Sequence, residues 1–289
     1  MPDAAGISPT HALWETLRAT LAVPDGGSLA VAFSGGLDSR FLAHAARHFG
    51  HAPLLLHVSG PHIAPAESAW ARRWAHSHNL RLSELELNPL DHQDIAAGGK
   101  DRCYYCKHLL FSAMRERLEP GAVLCDGSNF SDLETYRPGL RATRELGIRS
   151  PLAEAGLTKD LIRALAGLTG LDRPSQRASP CLLTRFAYGL RPSRDLLGQL
   201  AEAEAAVAGL LRLETDSEDE DAIPDFRLRL TRPHVLELHC VSAIPPPLQE
   251  RIREATAALG LPRPDMIRLP ALSGYFDAQT QPDSVRDSS

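Results

Sequence analysis

The sequence predicts an α/β fold: a doubly wound, mainly parallel sheet joined to a smaller C-terminal α+β domain. Three observations support this prediction. Short apolar runs alternate with helical patterns over the first half of the chain. One run, Pro53–Val58, is continuously apolar, as expected for a strand in the middle of a parallel sheet. In the second half, two strands of alternating polarity lie between helical segments.

The elements of the first domain follow a regular order. Residues 10–22 carry apolar side chains at helical spacing and predict a helix before the first strand. The next strands are predicted at Leu29–Phe33, Pro53–Val58, Leu80–Leu87 and Ala122–Cys125, and the helices at Arg40–Phe49, Glu67–His78 and Thr158–Leu168. Thr158 is expected to cap the last helix.

A second domain is predicted to begin near Pro174. Its helices are predicted at Asp195–Leu211 and Pro247–Leu259, and its strands at Phe226–Leu230 and Val235–His239. The acidic run Glu214–Asp221 predicts a solvated loop, because like charges this dense repel one another. The predicted limits are 1–173 and 174–276 for the two domains and 277–289 for a disordered polar tail.

The composition is that of an ordinary soluble protein, with 43% hydrophobic and 23% charged residues among 289. A net charge of −5 argues against a nucleic-acid partner. No apolar run approaches the roughly 20 residues that cross a bilayer, so no membrane partner is expected. Because Met1–Pro9 lacks the features of a secretory signal, the sequence predicts a cytoplasmic protein.

The stretch Ser34-Gly-Gly-Leu-Asp-Ser39 lies between the first predicted strand and the following helix. Two adjacent glycines let the backbone turn tightly and bring its N–H groups close to an anion. The helix N-terminus adds about half a positive charge, and the serine hydroxyls add donors. The spacing differs from that of the nucleoside-triphosphate P-loop and from that of the dinucleotide fold. A pyrophosphate site and an ordinary glycine-rich turn are the two interpretations.

This motif resembles the S-G-G-x-D-S signature of the PP-loop ATP pyrophosphatases. These enzymes have an adenine nucleotide alpha hydrolase-like fold. They split ATP between the α and β phosphates and activate a substrate as its adenylate. The resemblance assigns ATP and pyrophosphate binding to Ser34, Gly35, Gly36, Asp38 and Ser39. Asp38, with Asp126 after the fourth strand, is predicted to hold the accompanying Mg²⁺. Both loops follow strands, so they are expected to face one pocket.

The cysteines fall into two groups. Cys103 and Cys106 form a C-x-x-C that fits a zinc half-site, a redox pair or an iron–sulfur half-site. Cys181 follows Pro180 at the predicted domain junction. Cys125 and Cys240 lie inside apolar strand patterns and are predicted to be buried in the core.

Several segments in one order carry a more specific resemblance: Ser34–Ser39, Arg102–Lys107, Asp126–Asn129, Arg137–Gly139, Arg149–Leu152, Thr158–Arg163 and Cys181–Gly189. Together they resemble the LarE family, whose members are ATP-dependent sulfur transferases that make the thiocarboxylate groups of the nickel-pincer nucleotide cofactor. The resemblance covers about residues 29 to 240. It implies that the substrate is a small-molecule nucleotide, pyridinium biscarboxylic acid mononucleotide, and that ATP adenylates one of its carboxylates. It also implies that the protein is a homo-oligomer.

The resemblance also implies a route for sulfur. Cys181 occupies the position of the catalytic, sulfur-donating cysteine. In members with that cysteine alone, the protein gives up its own sulfur and keeps dehydroalanine. In members that also have counterparts of Cys103 and Cys106, a four-iron (4Fe–4S) cluster bound by the three cysteines can carry an extra sulfide. The family therefore implies iron ligands at Cys103, Cys106 and Cys181.

Four charged residues are predicted to bind the substrate. Arg227 and Arg229 alternate with apolar residues and so point to one face of their strand. They match the family's paired arginines that hold the substrate phosphate, and a solvated strand face is the alternative interpretation. Arg185 and Glu204 are further candidates, although such residues are usually part of the surface.

Two other functions remain open at this stage. A PP-loop enzyme can adenylate another substrate, as tRNA thiolases and amide-forming ligases do, but neither a nucleic-acid-binding module nor a glutaminase domain is recognisable in the sequence. A nonenzymatic iron–sulfur or nucleotide-sensing protein is the alternative from another class. Pyrophosphate release from ATP that depends on added acceptor separates an enzyme from a sensor.

Overall fold

The computed structural model describes residues 9–24, 27–133, 138–215 and 222–279. The chain divides into two compact units, Met1–Pro89 with Asp101–Ser179, and Leu90–Lys100 with Pro180–Ser289. The predicted ranges 1–173 and 174–276 do not follow this division in detail. Residues 90–100 group with the second unit, where the carbonyl of Gly98 accepts the backbone N–H of Gly189 at 2.9 Å.

Four parallel strands form the centre of the first unit, in the order β3-β2-β1-β4. They are β1 (Leu29–Ala32), β2 (Leu54–Ser59), β3 (Leu82–Glu86) and β4 (Val123–Cys125). The helices of this unit are α1 (Pro9–Thr20), α2 (Leu37–His48), α3 (Pro65–Ser77), α5 (Arg102–Arg115), α6 (Phe130–Leu133), α7 (Gly139–Glu145), α8 (Pro151–Glu154) and α9 (Lys159–Leu168). The predicted α/β class is confirmed.

The core of this unit covers both faces of the sheet, because successive side chains of a strand point to opposite faces. Leu29 and Val31 of β1 belong to one buried cluster, whereas Ala30 belongs to another. The second cluster contains Phe111 and Met114 of α5. Burial of both faces explains why the central strands β1 and β2 read as largely apolar runs, whereas the edge strand β3 mixes apolar with polar residues.

The strand order fixes where a ligand can approach. Since β1 lies between β2 and β4, the chain winds outward in both directions from the boundary between β1 and β4. Open α/β sheets bind ligands at such a point, beyond the carboxyl ends of the strands. Val31 pairs with Cys125 in the register, so Ser34–Ser39 and Asp126–Asn129 leave the sheet at the same edge.

A mixed three-stranded sheet forms the second unit, as the prediction of a smaller α+β domain required. β5 (Phe226–Arg232) and β6 (Val235–Cys240) are antiparallel, and β7 (Asp265–Arg268) runs parallel to β6. The helices of this unit are α4 (Gln93–Ala96), α10 (Arg194–Thr215), α11 (Pro246–Ala258) and α12 (Tyr275–Ala278), and a 3₁₀ turn spans Leu182–Arg185.

Some predictions differ from the structure or lie outside it. The sequence patterns missed α5 and β7. Residues 277 and 278, assigned to a disordered tail, are part of α12, whereas residues 280–289 are outside the described residues, as are residues 216–221 of the acidic run. In the part of the chain that the structure describes, no helix is both long and apolar enough to cross a membrane.

Candidate active site

The loop Ser34–Ser39 joins β1 to α2, and its last three residues form the first turn of that helix. The helix therefore begins at Leu37 rather than at the predicted Arg40. Gly35 has a φ of +78°, a conformation that L-amino acids with a side chain rarely adopt. A Cβ atom there would also lie 3.1 Å from the Cβ of Ala71. Two separate constraints thus require glycine at this position.

The polar groups of this loop form hydrogen bonds with one another. The hydroxyls of Ser34 and Ser39 lie 3.2 Å apart, and the N–H of Gly36 donates to Ser34 Oγ at 3.3 Å. Ser39 Oγ donates to the carbonyl of Gly36 at 3.1 Å. These bonds are long, and an anion that accepts from the same donors can replace them.

The second loop, Asp126–Asn129, packs directly on the first. A Cβ on Gly127 would lie 3.0 Å from the backbone nitrogen of Ser39 and 3.2 Å from the carbonyl carbon of Asp38. Asp126 is buried and accepts hydrogen bonds from Ser128 Oγ and Ser150 Oγ, both at 2.7 Å. The structure therefore brings Asp38 and Asp126, predicted to hold Mg²⁺, into adjoining loops.

Two lysines that the sequence analysis did not assign to the site neutralise these carboxylates. Lys159 Nζ donates to both oxygens of Asp38, at 2.7 and 2.6 Å. Lys107 Nζ lies 3.6 Å from Asp126 Oδ2. Both lysines stand within the motifs quoted above, Arg102–Lys107 and Thr158–Arg163, and Thr158 caps α9 as predicted by accepting the N–H of Leu161. Their positions within these motifs were the sequence feature from which both lysines could have been assigned to the site.

Cys103 and Cys106 lie in the first turn of α5, three residues apart and so on one face of the helix. Cys103 is half-buried and Cys106 is buried. The pair can serve as half of a metal site, and Cys181, the third predicted ligand, belongs to the second unit. No group of three or more His, Cys, Asp or Glu residues that could hold a metal ion occurs among the described residues. The three-cysteine ligand set stays a prediction.

Cys125 and Cys240 are buried, at 0% and 2% exposure, which confirms their assignment to the core. Burial raises the pKa of the Cys125 thiol to about 12. The raised pKa favours the protonated thiol that is usual for a cysteine in an apolar core.

Cys181 immediately precedes the 3₁₀ turn of the second unit and is half-buried. Its carbonyl accepts the backbone N–H and the hydroxyl of Thr184, at 3.0 and 2.7 Å. The buried Arg185 donates to the carbonyl of Pro180 at 3.1 Å and to both oxygens of Glu204, at 2.8 and 3.0 Å. Arg185 and Glu204, predicted to bind substrate, thus hold the turn that carries Cys181.

Arg227 and Arg229 differ in burial although they stand two residues apart on β5. Arg227 is half-buried and donates to Asp225 at 2.5 Å. Arg229 is 6% exposed, donates to the carbonyl of Leu272, and lies over the ring of Tyr275 at 4.9 Å. Burial, together with the charges of Arg185 and Arg227, lowers the pKa of Arg229 to about 10.

A histidine links Arg229 to the neighbouring strand. Arg229 donates to Nδ1 of His239 at 2.5 Å, and Nε2 of the same ring lies 2.6 Å from Glu237 Oε2. Because a guanidinium can only donate, Nδ1 accepts and the proton of the neutral ring sits on Nε2. Burial lowers the pKa of His239, which favours that neutral form. Arg137, part of one quoted motif, lies outside the described residues.

Comparison with known proteins identifies relatives of this chain. No family model matches the chain. An uncharacterized protein of Synechocystis is 33% identical over 181 residues, 60% of this chain and 66% of that protein, so the match spans just under two thirds of it. An uncharacterized protein of Methanocaldococcus jannaschii is 31% identical over 176 residues, 60% of this chain and 67% of that protein.

A third relative has a named activity. The pyridinium-3,5-bisthiocarboxylic acid mononucleotide synthase of Lactiplantibacillus plantarum is 31% identical over 201 residues, which cover 68% of this chain and 73% of the synthase. Identity at this level over so much of both chains confirms the resemblance that the motifs predicted. The chain belongs to the LarE family, the family of this synthase.

Proposed function

We propose that this protein is an ATP-dependent sulfur transferase that converts a carboxylate of pyridinium biscarboxylic acid mononucleotide into a thiocarboxylate for the nickel-pincer cofactor. The observation that carries the proposal is the packing of Gly127 on the backbone of Asp38 and Ser39. It joins the glycine-rich loop and the Asp126 loop into one surface at the boundary between β1 and β4. Membership of the LarE family supports the choice of acceptor.

The first step is adenylation on a PP-loop. A carboxylate oxygen of the acceptor attacks the α-phosphorus of ATP, the bond between the α-phosphorus and the bridging oxygen breaks, and pyrophosphate leaves. The N-terminus of α2 and the hydroxyls of Ser34 and Ser39 stabilise the departing anion. Asp38 and Asp126 are acidic oxygen donors of the type that Mg²⁺ prefers, and the bound ion would neutralise phosphate charge. Lys159 and Lys107, which lie beside these carboxylates, would bind phosphate oxygens.

In the second step the thiolate of Cys181 attacks the activated carbonyl carbon, and AMP leaves. Loss of the Cα proton and cleavage of the Cβ–Sγ bond release the thiocarboxylate and leave dehydroalanine at position 181. Cys103, Cys106 and Cys181 would together hold a four-iron cluster, which supplies sulfide when it is bound and so spares the protein's own sulfur. Arg185 and Glu204 keep Cys181 in place by fixing its turn.

The acceptor carries a phosphate, and Arg227 is the better placed of the two strand arginines to bind it. Its side chain is half-buried and forms an ion pair with Asp225. Arg229 contributes positive charge from a buried position, where it is held by His239 and the carbonyl of Leu272. Positive charge on this strand offsets the dianionic phosphate and gives the substrate an orientation.

Mass spectrometry of protein and acceptor after incubation with ATP and Mg²⁺ tests the proposal. We expect pyrophosphate release that depends on the acceptor, and a mass gain of about 16 Da on the acceptor for each oxygen replaced by sulfur. A loss of about 34 Da from the protein, equal to H₂S, identifies Cys181 as the donor. Acceptor-independent release of pyrophosphate, or adenylation without any sulfur gained, would contradict the proposal.

A further inference from the structure

The carbonyl of Gly35 is held from outside its own loop. Trp70 Nε1, on α3, donates to it at 3.1 Å, and Gln176 Nε2 donates to it at 3.3 Å. Gln176 lies beyond the end of α9, in the last segment of the first unit. Neither residue belongs to the glycine-rich motif, and the steps proposed above give neither a role.

Fixing this carbonyl also fixes the direction of an N–H group in the anion site. The peptide between Gly35 and Gly36 is planar and trans, so its C=O and N–H point in opposite directions. With the carbonyl turned toward Trp70 and Gln176, the N–H of Gly36 is turned to the other side, where it donates to Ser34 Oγ at 3.3 Å. Gly36 is the N-cap of α2, and its N–H is among those that an anion can bind.

The orientation of Gln176 is itself determined by Arg40. This arginine is 0% exposed, and its Nε and Nη2 donate to Gln176 Oε1 at 3.0 and 2.6 Å. Because the amide oxygen accepts from the guanidinium, the amide nitrogen is left facing Gly35. Arg40 also donates to the side chain and carbonyl of Asp172 and lies 5.6 Å from the ring centroid of Trp70.

We infer that Gln176 and Trp70 are positioning residues for pyrophosphate: they hold the Gly35–Gly36 peptide in the orientation that presents the Gly36 N–H to the β and γ phosphates of ATP. The inference rests on the proposed function, because it needs pyrophosphate to bind at this loop. Arg40 acts one step further away by locking the amide of Gln176. AMP lacks the β and γ phosphates, so its binding does not depend on this peptide.

Three variants and one matched control test the inference. Trp70→Phe removes the indole donor without adding charge. Gln176→Glu keeps an acceptor for Arg40 but cannot donate to Gly35, and the double variant removes both bonds. Trp74→Phe is the control, since the indole of Trp74 also lies near Arg40 and donates to Asp172 at 2.8 Å, but makes no bond to Gly35. Calorimetric titration with Mg²⁺-ATP, pyrophosphate and AMP gives the three affinities, and thermal unfolding checks the fold.

We expect the double variant to bind ATP and pyrophosphate about tenfold more weakly, or worse, with an unchanged affinity for AMP. Each single variant should show a smaller part of this loss, and Trp74→Phe should show none. If the double variant binds pyrophosphate as tightly as the wild type does, the inference is overturned and the proposed function is left intact. Equal losses for AMP and pyrophosphate also overturn it, because they indicate a general structural role. A wild-type protein that binds neither ATP nor pyrophosphate overturns both.

Discussion

The ammonium group of Lys159 pairs with both carboxylate oxygens of Asp38, at 2.7 and 2.6 Å. Each side chain is about a quarter exposed, so the pair is screened by solvent. Lys159 therefore offsets the charge of Asp38 in the first turn of α2. Asp38 is an oxygen donor of the type that would hold Mg²⁺, and the ammonium group of Lys159 is of the type that binds phosphate oxygens.

Replacement of Asp38 by alanine is expected to abolish acceptor-dependent pyrophosphate release while the fold is retained, because the residue lies partly exposed at the start of a helix. Asp160→Ala is the matched control. Asp160 is the residue next to Lys159, and its side chain is 92% exposed. Pyrophosphate release should be unchanged in this control. Unchanged release in Asp38→Ala would remove the residue from the ATP site.

The two strand arginines are expected to separate in their effects. Arg227→Ala should weaken acceptor binding by roughly tenfold or more, because a charge-assisted contact to phosphate is worth about 1.5–3 kcal/mol and 1.4 kcal/mol is one decade. ATP affinity should change little. Arg229→Ala should lower the free energy of unfolding by about 1–3 kcal/mol, because its buried partners His239 and Leu272 lose a donor.

Arg232→Ala, an exposed substitution at the end of the same strand, is the control for both variants. Titration with the acceptor and urea unfolding provide the two readouts. If Arg227→Ala weakens ATP and acceptor binding equally, Arg227 supports the fold rather than the substrate.

Most of the fold was predictable because apolar periodicity reports burial. Strands β1 and β2 are buried on both faces and read as largely apolar runs, and α9 shows both a clear apolar stripe and its Thr158 cap. The edge strand β3 instead mixes apolar with polar residues, and only its Leu85 is buried. Helix α5 was missed because tyrosines, cysteines and a lysine fill its first turns, a pattern with little amphipathic contrast. Strand β7 has only four residues, Asp265–Arg268, and its side chains are half-buried or exposed.

The site was predictable only where chemistry is local in sequence. The glycine-rich loop is contiguous, so its residues could be named together. Contacts such as Lys159 with Asp38, 121 positions apart, depend on tertiary folding, and no local pattern encodes them. Arg185 and Glu204 were selected as substrate residues, yet their bidentate pairing within the second unit became visible only in the structure.

Buried histidine is expected to make stability depend on pH. Both ring nitrogens of His62 are buried without a hydrogen-bond partner, and burial, with His57 nearby, lowers its pKa from 6.5 to about 4. Between these values the unfolded chain binds a proton that the folded chain does not. The lowered pKa of His62 therefore does not reduce the free energy of unfolding above pH 6.5. As pH falls below 6.5 the free energy of unfolding decreases, by about 3 kcal/mol at pH 4.

Urea unfolding between pH 4 and 7.5 measures this dependence. His62→Phe keeps an aromatic ring without a titrating group and should flatten the curve in this interval, although His57 and His239, whose pKa values are also lowered, leave part of the slope. His76→Gln, at an exposed position, controls for the removal of a histidine. Identical slopes for wild type and His62→Phe would show that His62 does not titrate differently in the folded state.

Substitution of the cysteines distinguishes the two sulfur donors considered above, the side chain of Cys181 and a sulfide bound to a cluster. Cys103 and Cys106 share one helical face, while Cys181 lies 75 residues further along the chain from Cys106 and belongs to the other unit. Three thiolates would leave one iron of a four-iron cluster without a protein ligand. The pair Cys103–Cys106 can contribute two ligands, and Cys125, which is fully buried on β4, provides an internal control.

Anaerobic reconstitution with iron and sulfide is expected to load the wild-type protein with an oxygen-sensitive cluster, seen as visible charge-transfer absorption, and to allow repeated turnover. The double variant Cys103→Ser with Cys106→Ser should take up little iron, since two of its three thiolate ligands are lost, whereas Cys125→Ala should match the wild type. Cys181→Ser should still release pyrophosphate but form no thiocarboxylate. A protein that takes up no iron and carries dehydroalanine at position 181 after one turnover would identify Cys181 as a sacrificial donor. Zinc in the site with no transfer of sulfur would exclude both routes.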